Sequence, residues 1–143
     1  MTNEQFWKKL DNITNKKQTF STTQAFVQVL AEGYSQDLDI LIFGVENPKN
    51  KDIFNQNCIM HDGEKGMLYL TDRRHAKNSK LITPVGSTYQ PKCMAVYSCA
   101  VIDNALEKDE VTSLIFNHGT ENMYIIPKIL LELVLSGYDD LPL

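Results

Sequence analysis

From Val111 to Gly137 the chain leaves little room for more than one local arrangement. Val111-Thr-Ser-Leu-Ile-Phe116 has the β-branched and aromatic content of a strand, and Asn117-His-Gly-Thr-Glu-Asn122 supplies turn residues. Met123-Tyr-Ile-Ile126 reads as a second strand, after which Pro127 opens an apolar helix that Gly137 stops. The result is a compact strand, turn, strand and helix unit.

The rest of the chain adds more of the same elements. Thr2-x-x-Gln5 forms a capping box ahead of Phe6, Leu10 and Ile13, which predicts a helix over 3–13. Ser21-x-x-Gln24 repeats the box, with Phe20 and Ala25 placed as a hydrophobic staple and Gly33 as a stop, for a second helix over 22–32. Leu38–Val45 is almost unbroken in apolarity and reads as a central strand covered on both faces. Glu46–Gly66 is polar and turn-rich, a long loop carrying one further strand, and Met67–Leu70 is another strand. Thr71-Asp-Arg-Arg-His-Ala-Lys77 starts a short helix capped by Thr71 or Asp72. Pro84 and Pro91 bracket a loop-like segment, Cys93–Ile102 reads as a long strand, and Asp103 caps a short helix through Glu107. The order of elements predicts one α+β domain over 1–143: a single mixed or largely antiparallel sheet flanked by helices.

Composition limits the classes of function. With 143 residues, 43% hydrophobic and 22% charged, the chain can bury one core without a disulfide or metal to staple it. No apolar run approaches the ~20 residues of a membrane span, and the first residues lack a signal peptide's basic start and apolar centre. A cytoplasmic protein without a membrane partner is therefore expected. The net charge of −4 argues against general nucleic-acid binding, which draws on phosphate neutralisation. Charge is uneven, with Arg73, Arg74, Lys77, Lys80 and Lys92 in a stretch without carboxylates and acids in excess after Asp103.

Few residues carry a chemical signature. Cys58-x-x-His61 has ligand spacing but no second pair, which His75 or Cys93 would supply only through a tertiary approach, so no metal site is assigned. Cys58, Cys93 and Cys99 are expected as reduced thiols, with Cys99 in the core of a strand. No phosphate-binding glycine loop, dinucleotide fingerprint or nucleophile elbow is present, so no cofactor is assigned. His118, beside Glu121, is the best acid–base candidate, although an exposed turn histidine needs no catalytic role.

Two short motifs carry a family resemblance. Leu68-Tyr-Leu-Thr-Asp72 looks like a strand ending in an aromatic-Thr-Asp turn, and Asn117-His-Gly-Thr120 followed by Ile126-Pro-Lys128 looks like an Asn-Pro-Gly turn, a strand and an Ile-Pro helix start. Over roughly residues 20 to 136 the chain thereby resembles the N-terminal domain of the SseB family, small bacterial domains named for enhanced serine sensitivity; His118 stands where that family usually has proline. The resemblance implies a mixed sheet flanked by helices and no established enzymatic activity, and it supplies no catalytic residues, so an enzyme is not expected. The leading expectation is a non-catalytic binding or interaction domain with a protein partner, using Asp72, Arg73, Arg74, Asn117, His118 and Glu121 as its surface. Two alternatives stand beside it: an immunity-type protein that neutralises a basic toxin, and a small hydrolase or transferase using His118. The partner's identity and the oligomeric state are left open.

Overall fold

Asp39–Asn47 forms strand β1, the axis of a seven-stranded sheet in a computed structural model that describes residues 1–47, 49–77 and 90–137. Its near-continuous apolarity follows from burial on both faces. Ile40 and Ile42 enter the larger core under the helices, whereas Leu41 and Phe43 join Leu68, Leu70 and Ile115 in a smaller core on the opposite face.

Strand β1 pairs along its whole length with β5 (Gln90–Tyr97). Its other edge is divided. The first half meets β4 (Glu64–Leu70), with Leu41 opposite Leu70, and the second half meets β2 (Asn50–Gln56), with Gly44 opposite Gln56. Strand β3 (Cys58–His61) turns back to pair with β4, so the chain wedges between β1 and β4 with Asn57 at the fork. There the Asn57 amide donates to the Phe43 carbonyl at 3.1 Å and its carbonyl accepts from the Leu68 amide at 3.0 Å. Gly44 permits the approach, since a Cβ there would lie 2.1 Å from the Asn55 carbonyl oxygen. Beyond β4 come β6 (Val111–Phe116) and β7 (Tyr124–Pro127). The β4–β6 pair is parallel and the other described pairs are antiparallel.

Helices α1 (Asn3–Thr14), α2 (Phe20–Ser35), α3 (Ser98–Glu107) and α4 (Lys128–Leu135) cover the larger core. The expected α+β architecture, one largely antiparallel sheet flanked by helices, is the one observed. The Thr2–Gln5 capping box is present in α1. An aromatic cluster fills the centre: Phe26 meets Phe116 edge-on at 4.7 Å, and Tyr69 stacks on Phe116 at 5.1 Å. Such pairs add about 0.5–1.5 kcal/mol each beyond area burial. Tyr69 and Phe116 are the last pair of the parallel β4–β6 ladder, so the cluster sits beside the start of the loops after those strands.

Several boundaries depart from the sequence reading. Between 46 and 66 the described residues are mostly strand, because β2 and β3 are held by main-chain pairing and their sequences lack the apolar–polar alternation of a half-buried strand. The expected long strand Cys93–Ile102 ends at Tyr97, and Ser98 begins α3. Buried Ser98 donates from its amide to the Leu38 carbonyl at 2.9 Å and from its hydroxyl to the Gly33 carbonyl at 3.2 Å, which turns the chain into a helix whose Ile102 and Ala105 face the core. Cys99 therefore lies half-buried on a helix.

Helix α2 starts earlier than expected because Thr19 and Thr22, not Ser21 and Gln24, form its capping box. Phe20 is left 72% exposed instead of stapled. Gly33 does not end α2; a Cβ there would lie 2.3 Å from the Phe6 ring, so glycine serves the close packing of α1 on α2. Between β3 and β4, Asp62 and Gly63 both have positive φ, 51° and 81°, the pattern of a type I′ hairpin turn. The loop expected from Pro84 lies outside the described residues until Gln90, and Pro91 belongs to β5.

Candidate functional site at the ends of the parallel strands

Parallel neighbours deliver their following loops to the same edge of a sheet. Here β4 runs into Thr71, Asp72 and a 3-10 turn at Arg73–Lys77, and β6 runs into the Asn117–Asn122 turn. Helix α1 crosses the same edge. The Asn3 side chain exchanges hydrogen bonds with Asp39, through the Asp39 amide at 2.9 Å and its carboxylate at 3.2 Å, and Trp7 Nε1 donates to the Asp39 carbonyl at 2.9 Å. That docking carries Asp11, one turn beyond Trp7, over the end of β4.

Asp11 is 7% exposed and surrounded by donors. Its Oδ1 accepts from the Thr71 hydroxyl at 2.7 Å and lies 2.9 Å from His75 Nε2, while Oδ2 pairs with Arg74 Nη2 at 2.7 Å. Burial pushes its pKa up, but hydrogen bonds from Thr71, Arg74 and His75 and the charge of Arg74 outweigh burial and hold it below the ordinary aspartate value. The ionised carboxylate has no proton to give, so His75 Nε2 is the donor in that contact. Arg74 is fixed a second time by Asp72, whose carboxylate pairs with Nη1 at 2.8 Å and accepts the Arg74 amide at 2.8 Å.

Asn117 joins the two loops. Fully buried and left-handed at φ 57°, it accepts the Thr71 amide through Oδ1 at 3.0 Å. Its Nδ2 donates to the Thr71 hydroxyl at 2.9 Å and the Asn122 carbonyl at 3.3 Å. Asparagine tolerates left-handed backbone because its short polar side chain can bond locally. Thr71 is therefore held by Asn117 on one side and by Asp11 on the other, a network spanning α1 and both loops.

Two cavities flank Arg74. One of about 430 Å³ is lined by Arg74, His75, Thr120, Glu121 and Asn122. The other, about 370 Å³, is lined by Trp7, Asp11, Asp72 and Arg74 together with the α1 residues Glu4, Lys8 and Asn12. Of the surface expected from sequence, Asp72, Arg74 and Glu121 thus come together at these cavities. Asn117 is buried beneath them rather than exposed. Arg73 lines neither of these two cavities; its guanidinium lies 5.7 Å from the Trp7 ring centroid and 4.0 Å from Cys93 Sγ. Half-buried His118 faces a separate cavity of about 460 Å³ with Asn57, Cys58, Ile59 and Met60, so it is not the exposed turn residue that was expected.

Other chemical candidates separate. Cys58 and His61 lie three residues apart on β3, and successive side chains of a strand alternate faces, so the two point to opposite sides. Burial pushes the Cys93 thiol up, against the opposing charge of Arg73, which disfavours a reactive thiolate. Among the described residues no group of three or more His, Cys, Asp and Glu could hold a metal ion. No described helix is long and apolar enough to cross a membrane.

Sequence reasoning missed Asp11 and Thr71 as partners and weighed His75 only as a metal ligand. The available signal was a carboxylate four residues after Trp7, on the flank of the apolar stripe of α1, where an unpaired charge would be costly. No family model matches the chain, and comparisons with curated proteins and with solved structures also return no match.

Proposed function

We propose that this chain is a small protein-interaction domain, of the kind its resemblance to the SseB N-terminal domain implies, that recognises a partner through the groove on either side of Arg74. The observation that carries this reading is the sharing of Arg74 by two cavities set over an internally satisfied network. Groups held by buried hydrogen bonds lose little freedom on binding, so such a network suits recognition. The donors of that network are spent on holding the loops, which fits a binding surface without an assigned catalytic role.

The immunity-type alternative draws on a different surface, where Asp103, Glu107, Asp109 and Glu110 are exposed on α3 and the turn after it. Site-specific photo-crosslinking in the source cell separates the two. A crosslinking residue at Thr120 or Asn12 is expected to trap one discrete protein, while one at Asn104, on the exposed side of α3, is expected to trap none. Trapping from Asn104 alone would overturn the groove reading in favour of the acidic surface.

A further inference from the structure

The groove has a chemical polarity that names the partner group it receives. In the cavity of about 430 Å³ much of the donor capacity is already committed. Arg74 directs Nη2 to Asp11 and Nη1 to Asp72, and His75 Nε2 faces Asp11. The Thr120 hydroxyl donates to the Asn117 carbonyl at 2.8 Å, and Asn122 Nδ2 donates to the Thr14 carbonyl at 3.1 Å and to Asn15 Oδ1 at 3.2 Å. Acceptors are left over. Among the described residues the exposed Glu121 carboxylate makes no ion pair, and Asn122 Oδ1 receives no hydrogen bond. Charge points the same way: Asp11, Asp72 and Glu121 surround a single guanidinium that two of them already neutralise.

From this we infer that the cavity beside His75 receives a basic side chain, arginine or lysine, from the partner, with Glu121 as its counter-ion and Asn122 Oδ1 as a second acceptor. The inference rests on the groove reading above. A cavity of about 430 Å³ lies toward the lower end of ordinary small-ligand pockets, a size suited to one side chain. An incoming anion would meet Glu121 and an arginine whose charge two carboxylates already offset. An incoming guanidinium or ammonium brings donors and a positive charge to the free acceptors Glu121 and Asn122 Oδ1.

The test uses the full chain, labelled with nitrogen-15, titrated with N-acetyl-arginine amide, N-acetyl-lysine amide and N-acetyl-glutamate amide. The two cations are expected to give saturable shifts of the Arg74, His75, Thr120, Glu121 and Asn122 amides, and the glutamate derivative none. Loss of one charge-assisted contact in Glu121→Gln is expected to weaken the cations about tenfold, and Glu121→Lys to abolish the response. A melting temperature equal to wild type would certify the fold of both variants. Shifts caused by the glutamate derivative, no response to either cation, or equal responses in wild type and Glu121→Lys would each overturn the inference. Crosslinking from Thr120 with no cation response would leave the groove reading standing and refute this one; a cation response without such crosslinking would leave only a cation-binding cavity and overturn the groove reading together with the partner side chain inferred from it.

Discussion

The Thr71 hydroxyl and the Asp11 carboxylate meet at 2.7 Å in the interior, although 60 residues separate them in the chain. This bond ties the first helix to the end of β4, and through Asn117 to the end of β6. A single carboxylate therefore couples α1 packing to the shape of the groove.

Asp11→Asn should be costly at neutral pH. An amide keeps one acceptor but sets a donor against either Arg74 or the Thr71–His75 pair, and breaking a buried charge pair by removing one partner costs about 3–5 kcal/mol when burial is complete. Arg74 is half exposed, so we predict about 2–3 kcal/mol. The pH dependence has a definite sign. Asp11 has a depressed pKa in the folded state, so its contribution is full above the unfolded aspartate value of about 3.9 and fades as pH falls through the lower folded value. Urea unfolding of wild type and variant should differ most near neutrality and converge below about pH 4; a gap that widens with acid would refute the assignment.

Two substitutions at Asn117 separate backbone from side chain. Asn117→Gly keeps the left-handed conformation and loses the hydrogen bonds to Thr71, whereas Asn117→Ala loses both. The alanine variant should be less stable than the glycine variant by about 1 kcal/mol, the cost of left-handed backbone for a residue with a Cβ. Equal stabilities in thermal unfolding would show that the φ of 57° is not a constraint. Gly119→Val, at φ 79°, should likewise destabilise. His118→Ala should cost more than the ~0.5 kcal/mol of a surface change, since His118 is half-buried.

The legible parts of this chain were those where local chemistry and burial agree. Leu38–Val45 announced a strand covered on two faces, and Thr2-x-x-Gln5 announced the start of α1. The wedge of β2 and β3 was hidden because main-chain pairing to β1 and β4 leaves little trace in side-chain periodicity, although Asp62-Gly63 was an available hairpin signal. Cys93–Ile102 misled because a continuous apolar run reads alike as a buried strand or a buried helix. At the site, the two turns were visible one by one. Their union through Asp11 was not, since hydrogen bonds across 60 residues depend on how α1 docks.

Gly33→Ala tests that docking. Alanine favours a helix over glycine by about 1 kcal/mol, which alone would stabilise α2. A Cβ at this position would lie 2.3 Å from the Phe6 ring, however, and overpacking a core costs about 1–3 kcal/mol. The clash should win because Phe6 is fully buried among packed core side chains. Phe6→Leu in the Gly33→Ala background should recover part of the loss. A double-mutant cycle showing strict additivity would mean that the two residues do not compete for the same volume.

Gln18 carries the last prediction. Its side-chain amide faces the outer edge of β7, the last strand in the sheet order: Nε2 donates to the Ile125 carbonyl at 2.8 Å and Oε1 accepts the Ile125 amide at 3.1 Å. The pair reproduces what a neighbouring strand would offer, and occupying an edge in this way blocks pairing with another chain. Gln18→Ala would leave both Ile125 groups without these partners, and Pro127, lacking an N–H, offers no donor further along the strand. We predict a loss of about 1–2 kcal/mol in chemical denaturation, set by one donor and one acceptor losing their bonds. We also predict self-association that grows with concentration in sedimentation velocity, where wild type is the reference. Gln18→Glu should retain an acceptor for the Ile125 amide but set a carboxylate against its carbonyl, so it should lose stability while its added charge opposes edge pairing. If Gln18→Ala sediments as wild type does at every concentration, the amide is a local fastening of the α1–α2 joint and not a guard on the edge.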